Sequence, residues 1–536
     1  MMPAPTLSEN ISLDLLHQQR LVEALLAPGY FPGTPKLEET HISWVLLTGR
    51  DAYKIKKSVD LGFLDFSTLA LRRFYCDEEL RLNRRFAPEL YLDVIAIGGS
   101  VEQPVLGGEP VLEYAVHMRR FAQSRIMDRL LARRRITSEH VDKLAATIAN
   151  FHATLTPAAA DSDHCDIAAI HTAAFENFAH LPLLLNKRDD LAMLETVLVA
   201  SEAAFTDCKP LFQLRAAAGR VRECHGDLHL ANIAVLNDVP TPFDCIEFSA
   251  ALRWIDVISE ISFTVMDLLQ RGQPTLAWRL LNGYLERSGD YQGCGVLRFY
   301  LAYRAMVRAK IAAIRGHQLS VAKARHELKQ YRHYLSLAHD CLTRHQSAII
   351  ITHGLPGCGK SSFAQLALER LGAIRIRSDV ERKRLFSLPP LADSKSFTEV
   401  DIYSQEATRQ TYAQLLALAR EVVAAGLIVI VDAAFLLYAE RESFRALAKE
   451  LGVPFVIASL QTEATLLAER LTQRQHQGKD ASEANVMVMQ KLQKIQEPLH
   501  EAEQPYAVIF VNNGDIATLS NATTAWDALK QLVVCE

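Results

Sequence analysis

The segment Gly354-Leu355-Pro356-Gly357-Cys358-Gly359-Lys360-Ser361 constrains this chain more than any other. It fills every fixed position of G-x-x-x-x-G-K-[ST], with an apolar run (AIIIT) before it and a helical run (SSFAQLALERL) after it. Strand, glycine-rich loop and helix in that order let backbone N–H groups turn inward around phosphate oxygens at a helix N-terminus. Gly354, Gly357 and Gly359 allow the turn, and Lys360 would neutralise nucleotide phosphates. The Ser361 hydroxyl would ligate Mg²⁺, and Ser362 joins it as nucleotide-binding. Around the loop, β-type runs at 348–352, 374–377, 427–431, 455–460 and 507–511 alternate with helical runs. That alternation predicts an α/β domain with a parallel sheet flanked by helices.

Ligands in such sheets sit at the carboxyl ends of the strands. The second run ends in Arg377-Ser378-Asp379, so Asp379 is placed to accept a proton from a hydroxyl attacking the terminal phosphate, and Arg382 to hold a substrate anion. A helix cap is the competing reading of Asp379. The third run ends at Asp432, where a carboxylate would support Mg²⁺. Arg470 and Arg474 fall four apart on one helix face before the polar stretch 475–482, the arrangement of a closing lid that serves the phosphates. Cys358 stands at a helix N-terminus, which lowers a thiol pKa and would open the loop to oxidation.

A second motif lies upstream. Residues 224–233 read Cys-His-Gly-Asp-Leu-His-Leu-Ala-Asn-Ile, and a His-x-Asp with Asn five residues after the Asp is kinase catalytic-loop spacing. Asp227 would orient or deprotonate an acceptor hydroxyl, and Asn232 would hold Mg²⁺. In 243–248, read as an extended run, Asp244 and Glu247 point to opposite faces, and Asp244 is the expected metal ligand. A zinc pair at His225 and His229 is the rival chemistry; its spacing needs a helix and further ligands. The run 43–57 reads as a hairpin whose Lys54 would meet the α/β-phosphates, although Lys56 shares its face. Glu79 is the expected ion-pair partner on the following helix, 113–116 the expected adenine hinge, and Asp256 a brace for the catalytic loop. Arg304, Arg308 and Arg315 share a face at i, i+4 and i+11, suited to an anionic acceptor or to docking the second domain, or simply solvated.

These residues carry two resemblances. The stretch 348–511 resembles the P-loop kinases that include polynucleotide kinase, zeta toxins and chloramphenicol phosphotransferase, which implies Asp379 as base and lid arginines on the phosphates. The stretch 43–260, through HGDLHLAN and DCIEF, resembles the aminoglycoside phosphotransferase and choline kinase families. It departs from protein kinases in having one glycine around Gly49 and no D-F-G. The order of the two resembles bacterial aminoglycoside phosphotransferase family/ATP-binding fusions. The fold class implied is an α+β protein-kinase-like two-lobed domain followed by an α/β P-loop domain. The expected boundaries are 1–345, with a small lobe about 30–117 and a helical lobe about 118–345, then 346–536.

Charge balance narrows the partners. With 58 basic and 62 acidic side chains the net charge is −4, so a nucleic-acid partner would need a local patch such as the basic cluster between Arg370 and Arg384. The longest apolar stretch, 427–438, is interrupted by Asp432 and too short for a bilayer. Nine scattered cysteines, with no C-x-x-C and no signal segment, predict reduced thiols in a cytoplasmic protein. The expectation is an ATP- and Mg²⁺-dependent phosphotransferase in both parts, with a small-molecule hydroxyl acceptor that is compatible with being phosphorylated or anionic. A nucleic-acid 5′-hydroxyl kinase, and a nucleotide sensor with one inactive half, are the alternatives.

Overall fold

The structure is a computed structural model that describes residues 13–62, 64–185, 187–319, 321–389, 401–477 and 482–533. The chain forms two compact units, Met1–Ala169 with Arg215–Glu260, and Ile170–Leu214 with Ile261–Glu536.

In the first unit, strands β1 (Lys36–Glu39), β2 (Ser43–Leu47), β3 (Asp51–Lys56), β4 (Tyr91–Gly99), β5 (Pro104–Leu106) and β6 (Val111–Arg119) form an antiparallel sheet in the order β1-β2-β3-β6-β4-β5. The expected hairpin is β2–β3, closed by Thr48 N donating to Asp51 O at 2.9 Å. Strand alternation splits the sheet into two chemical faces. Trp44, Leu46, Tyr53 and Ile55 pack on Leu21, Val22 and Leu25 of the helix Leu13–Leu25. Lys54 and Lys56 point to the other face, covered by the helix Leu69–Asn83, whose Cys76 packs with Tyr91 and Val116. Thr68 caps that helix by accepting from Leu71 N at 3.2 Å. Two short pairs follow: β7 (Val221–Glu223) with β10 (Trp254–Asp256), and β8 (Ile233–Leu236) with β9 (Val239–Pro242).

The second unit holds helices Pro274–Ser288, Cys294–Gln318 and Val321–Thr343 together with strands β11 (Ala348–His353), β12 (Ile374–Arg377), β13 (Ile428–Asp432), β14 (Phe455–Gln461) and β15 (Ala507–Val511). The five strands are parallel, in the order β12-β13-β11-β14-β15. Every residue of β11 and β13 is buried, as strands covered on both faces must be. One face packs Ile350, Ile430 and Val456 on Phe363 and Trp526 of the helices Lys360–Leu371 and Thr523–Val533. The fold class is the expected one, an α+β kinase-like region followed by an α/β P-loop domain.

Contacts do not divide the chain at 345/346, because Pro274–Ser288 is built onto the sheet. It covers the open edge of β12. Asn282 donates from Nδ2 to Ala373 O (2.9 Å) and accepts at Oδ1 from Arg375 N (2.7 Å), pairing with the strand as a neighbouring strand would. Gly372 lies against Trp278, where a Cβ would fall 2.8 Å from the indole nitrogen.

Candidate active sites

The first site begins with the two lysines of β3. Lys54 Nζ lies 2.8 Å from Glu79 Oε1 and 2.6 Å from Asp244 Oδ1, while Lys56 Nζ lies 2.7 Å from Glu79 Oε2 and also meets Glu247. Glu79 and Lys56 are fully enclosed; the Asp244 side chain is 45% exposed. Of the two lysines, Lys54 stands at the open end of the row and Lys56 is sealed behind it. Burial pushes the Glu79 carboxyl up, but Lys54 and Lys56 outweigh it and bring it down to about 2. Burial holds Glu247 above its ordinary range.

The extended run expected at 243–248 does not form. Asp244 adopts φ +64°, with its N–H donated to Tyr91 Oη (3.1 Å) and that of Cys245 to Asn83 Oδ1 (2.9 Å). This left-handed turn breaks the alternation, so both Asp244 and Glu247 reach the lysine row instead of facing apart.

The loop His225–Asn232 sits beside this cluster in the same unit. Asn232 Nδ2 donates to Asp227 Oδ2 at 2.9 Å and to Asp227 O at 3.0 Å. Phe243 N donates to Asn232 O, and Ile246 N to His225 O, tying the loop to the Asp244 segment. Gly226 takes φ +88°, and a Cβ there would lie 2.8 Å from Leu252 O. The group that fixes the loop is one the sequence did not single out: Glu260 accepts from His225 N (2.6 Å) and Gly226 N (3.1 Å). Asp256 instead pairs with Arg215 at 2.7 and 2.8 Å, bracing β10 next to the loop. The zinc reading fails on geometry. His225 Nε2 is bonded to Phe243 O, and the His229 ring accepts from Ala231 N. Behind the loop His152, Cys224 and Glu260 converge, yet the Glu260 carboxylate is committed to the loop amides. The hinge expectation at 113–116 also fails: that stretch lies in β6, paired with β4 and, from Ala115 on, also with β3, so its backbone is committed to the sheet.

The second site is the loop after β11. Gly354, Gly357 and Gly359 adopt φ +144°, +89° and +98°. Added Cβ atoms would lie 2.7 Å from Leu460 O at Gly354 and 2.2 Å from Asn512 Nδ2 at Gly359. Only glycine fits there. Asn512, another residue that the motif does not reveal, donates to Cys358 O at 2.9 Å. Lys360 Nζ curls onto Gly354 O (2.9 Å) and Leu355 O (3.0 Å). Cys358 is 1% exposed, and burial pushes its thiol up against the opposing pull of Lys360, correcting the expectation of a reactive thiolate.

Asp432 ends β13 with the Ser361 hydroxyl against it. Its Oδ2 is buried with no hydrogen-bond partner among the described residues, and Arg377 Nε lies 3.8 Å away. An orphaned carboxylate oxygen beside a serine hydroxyl is the hard-oxygen donor set that suits Mg²⁺. Asp379 is half-buried in the first turn of the helix Ser378–Leu385, and the cap position is Arg377, not Asp379. Arg382, one turn on, is 7% exposed: Nη1 donates to Ile402 O (2.8 Å) and Thr408 Oγ1 (3.2 Å), and the guanidinium lies 5.2 Å from the Tyr403 ring centre. It organises 402–408 rather than standing open to a substrate. Arg470 reaches the loop at Gly357 O (3.5 Å) and also donates to Gly514 O after β15. The side chain of Arg474 and residues 478–481 lie outside the described residues. The arginine face at 304–315 is not one open surface. Arg304 is 4% exposed over Phe263 and Tyr303 at 4.9 and 5.0 Å, Arg308 is half-buried, and Arg315 is exposed.

Residues 349–499 match the AAA domain family. An uncharacterized protein of Mycobacterium bovis is 28% identical over 447 residues, covering 83% of this chain and 87% of that protein. Among solved structures, the GDP complex of aminoglycoside 2′-phosphotransferase-IIIa aligns over 60% of this chain and 98% of its own, with 12% identity and a TM-score of 0.37. A gluconokinase from Sinorhizobium meliloti aligns over 35% of this chain and 95% of its own, with 20% identity and a TM-score of 0.25. The AAA domain match runs from β11 to beyond the helix Ala464–Gln477, so it takes in the glycine loop, Asp379, Asp432 and Arg470 but not Asn512, and none of the site around Asp227.

Proposed function

We propose that this chain is a Mg-ATP-dependent phosphotransferase with two sites, each passing the terminal phosphoryl group to a hydroxyl of a small-molecule acceptor. The observation that carries the reading is the convergence of Lys54, Glu79, Asp244, Asn232 and Asp227 within one compact unit. Bound Mg-ATP supplies the phosphoryl group and the metal charge that offsets its developing negative charge. The chain's own groups do the rest. Lys54, aimed by Glu79, presents an ammonium to the phosphates. Asp244 and the Asn232 carbonyl offer the oxygens a magnesium ion takes. Asp227, steered by the Asn232 amide, accepts the acceptor's proton at a carboxylate oxygen. In the P-loop site the loop amides, Lys360 and Arg470 hold phosphate charge, Ser361 and Asp432 hold the metal, and Asp379 takes the proton. Cysteines outside any disulfide at Cys76, Cys245 and Cys358 accord with a reducing, cytoplasmic setting.

The test uses labelled ATP with sugars, nucleosides, aminoglycosides and 5′-hydroxyl oligonucleotides. Asp227→Asn and Asp379→Asn should each cut transfer to one acceptor by at least about a hundredfold while ATP binding stays within a few-fold. Wild-type transfer by the double variant would refute the assignment, and labelling of the oligonucleotides alone would replace the small molecule with a nucleic acid.

A further inference from the structure

Glu286 lies in Pro274–Ser288, outside the AAA domain match, yet it faces the P-loop site. Its carboxylate meets Arg375 Nη2 at 2.8 Å and Arg377 Nη1 at 3.1 Å, and its carbonyl accepts from Arg384 Nη2 at 2.5 Å. Those three arginines flank Asp379 in sequence. Arg377 is the cross-strand neighbour of Asp432, and its Nε stops 3.8 Å from Asp432 Oδ2, short of a hydrogen bond. Arg375 is held from a second side by Gln365 Oε1 at 3.0 Å. The helix that carries Glu286 cannot drift, because Asn282 and Trp278 are fitted to the edge of β12.

We propose that Glu286 is a positioning residue of the P-loop site, holding Arg377 back from Asp432 so that the carboxylate stays open to magnesium. The inference rests on the reading of that site as a Mg-ATP site. Among the described residues, Arg377 has the Glu286 and Asp432 carboxylates within ion-pair reach, and each weakens its hold on the other. Without Glu286 the guanidinium closes on Asp432 and competes with the metal for the same oxygen. The AAA domain segment therefore lacks one of its own working parts, which an earlier helix of the chain supplies.

The experiment uses the full chain carrying Asp227→Asn to silence the other site, and measures ATP hydrolysis against Mg²⁺ concentration. Groups one step behind a metal ligand typically count for about 10- to 100-fold. Glu286→Gln should raise the Mg²⁺ half-saturation about tenfold, while calorimetric ATP binding in EDTA changes less than about twofold. Arg377→Gln should remove the competition, and adding Glu286→Gln to it should then have no further effect. Glu286→Asp, which keeps the charge and the fold, should give a smaller rise in the same direction. An unchanged half-saturation in Glu286→Gln and Glu286→Asp, or an equal loss with and without Arg377, would overturn the proposal. Lys360→Ala separates the two readings. If hydrolysis persists in that variant, the Mg-ATP assignment of the loop falls and takes this inference with it. If hydrolysis is lost there but Mg²⁺ dependence ignores Glu286, the positioning role alone is wrong.

Discussion

Replacing Glu79 with Gln removes the carboxylate that hydrogen-bonds both β3 lysines, and the structure sets the size of the effect. Glu79 has its folded carboxyl at about 2 against an ordinary 4.5. At about 1.4 kcal/mol per unit that difference is about 3 kcal/mol of stability. The folded value is depressed, so the contribution is complete above about pH 4.5 and is lost as pH falls toward 2. Breaking a buried ion pair from one side costs about 3–5 kcal/mol, and here Lys54 keeps Asp244 and Lys56 keeps Glu247, so the low end applies. The assay is amide hydrogen exchange on peptides spanning 43–56 at pH 7. Local opening of β2 and β3 should become easier by about 3 kcal/mol, about a hundredfold faster exchange, while peptides of the 348–511 sheet stay unchanged. Acceleration below tenfold, or the same acceleration in both units, would refute the shared-carboxylate argument.

Two further outcomes follow from burial and edge pairing. Asn282→Ala should leave Ala373 O and Arg375 N without their partner and cost about 2 kcal/mol, read as faster exchange confined to 373–377 and the helix covering it. In the folded protein at pH 8, iodoacetamide should modify Cys165 at least about tenfold faster than Cys358, with the gap vanishing in denaturant; equal rates would restore the reactive-thiol reading.

Features written locally were legible in the sequence. Glycine spacing and flanking periodicity placed the loop at Gly354–Ser361, and period-two alternation put Lys54 and Lys56 on one face. The turn at Asp244 left no such mark, because a left-handed aspartate has no compositional signature and its geometry comes from Tyr91 and Asn83, far away in the chain. The inward commitment of Arg382 follows from Ile402 and Thr408, about 20 and 26 positions on. Glu260 and Glu286 escaped for the same reason: each acts on residues about 35 to 91 positions distant, and nothing in their own neighbourhood distinguishes them from solvated helix faces.

The cover on β12 also has a consequence for how the protein is made. Synthesis runs from the N-terminus, and a bare sheet edge in a half-made chain is an invitation to wrong pairing. Here the helix bearing Trp278, Asn282 and Glu286 leaves the ribosome well before Ala373 and Arg375. The cover is therefore translated ahead of the edge it protects. A rearranged gene that moved 274–288 behind the sheet would keep every contact in the finished fold, yet should yield more aggregate and less soluble protein, because the newborn strand would wait uncovered.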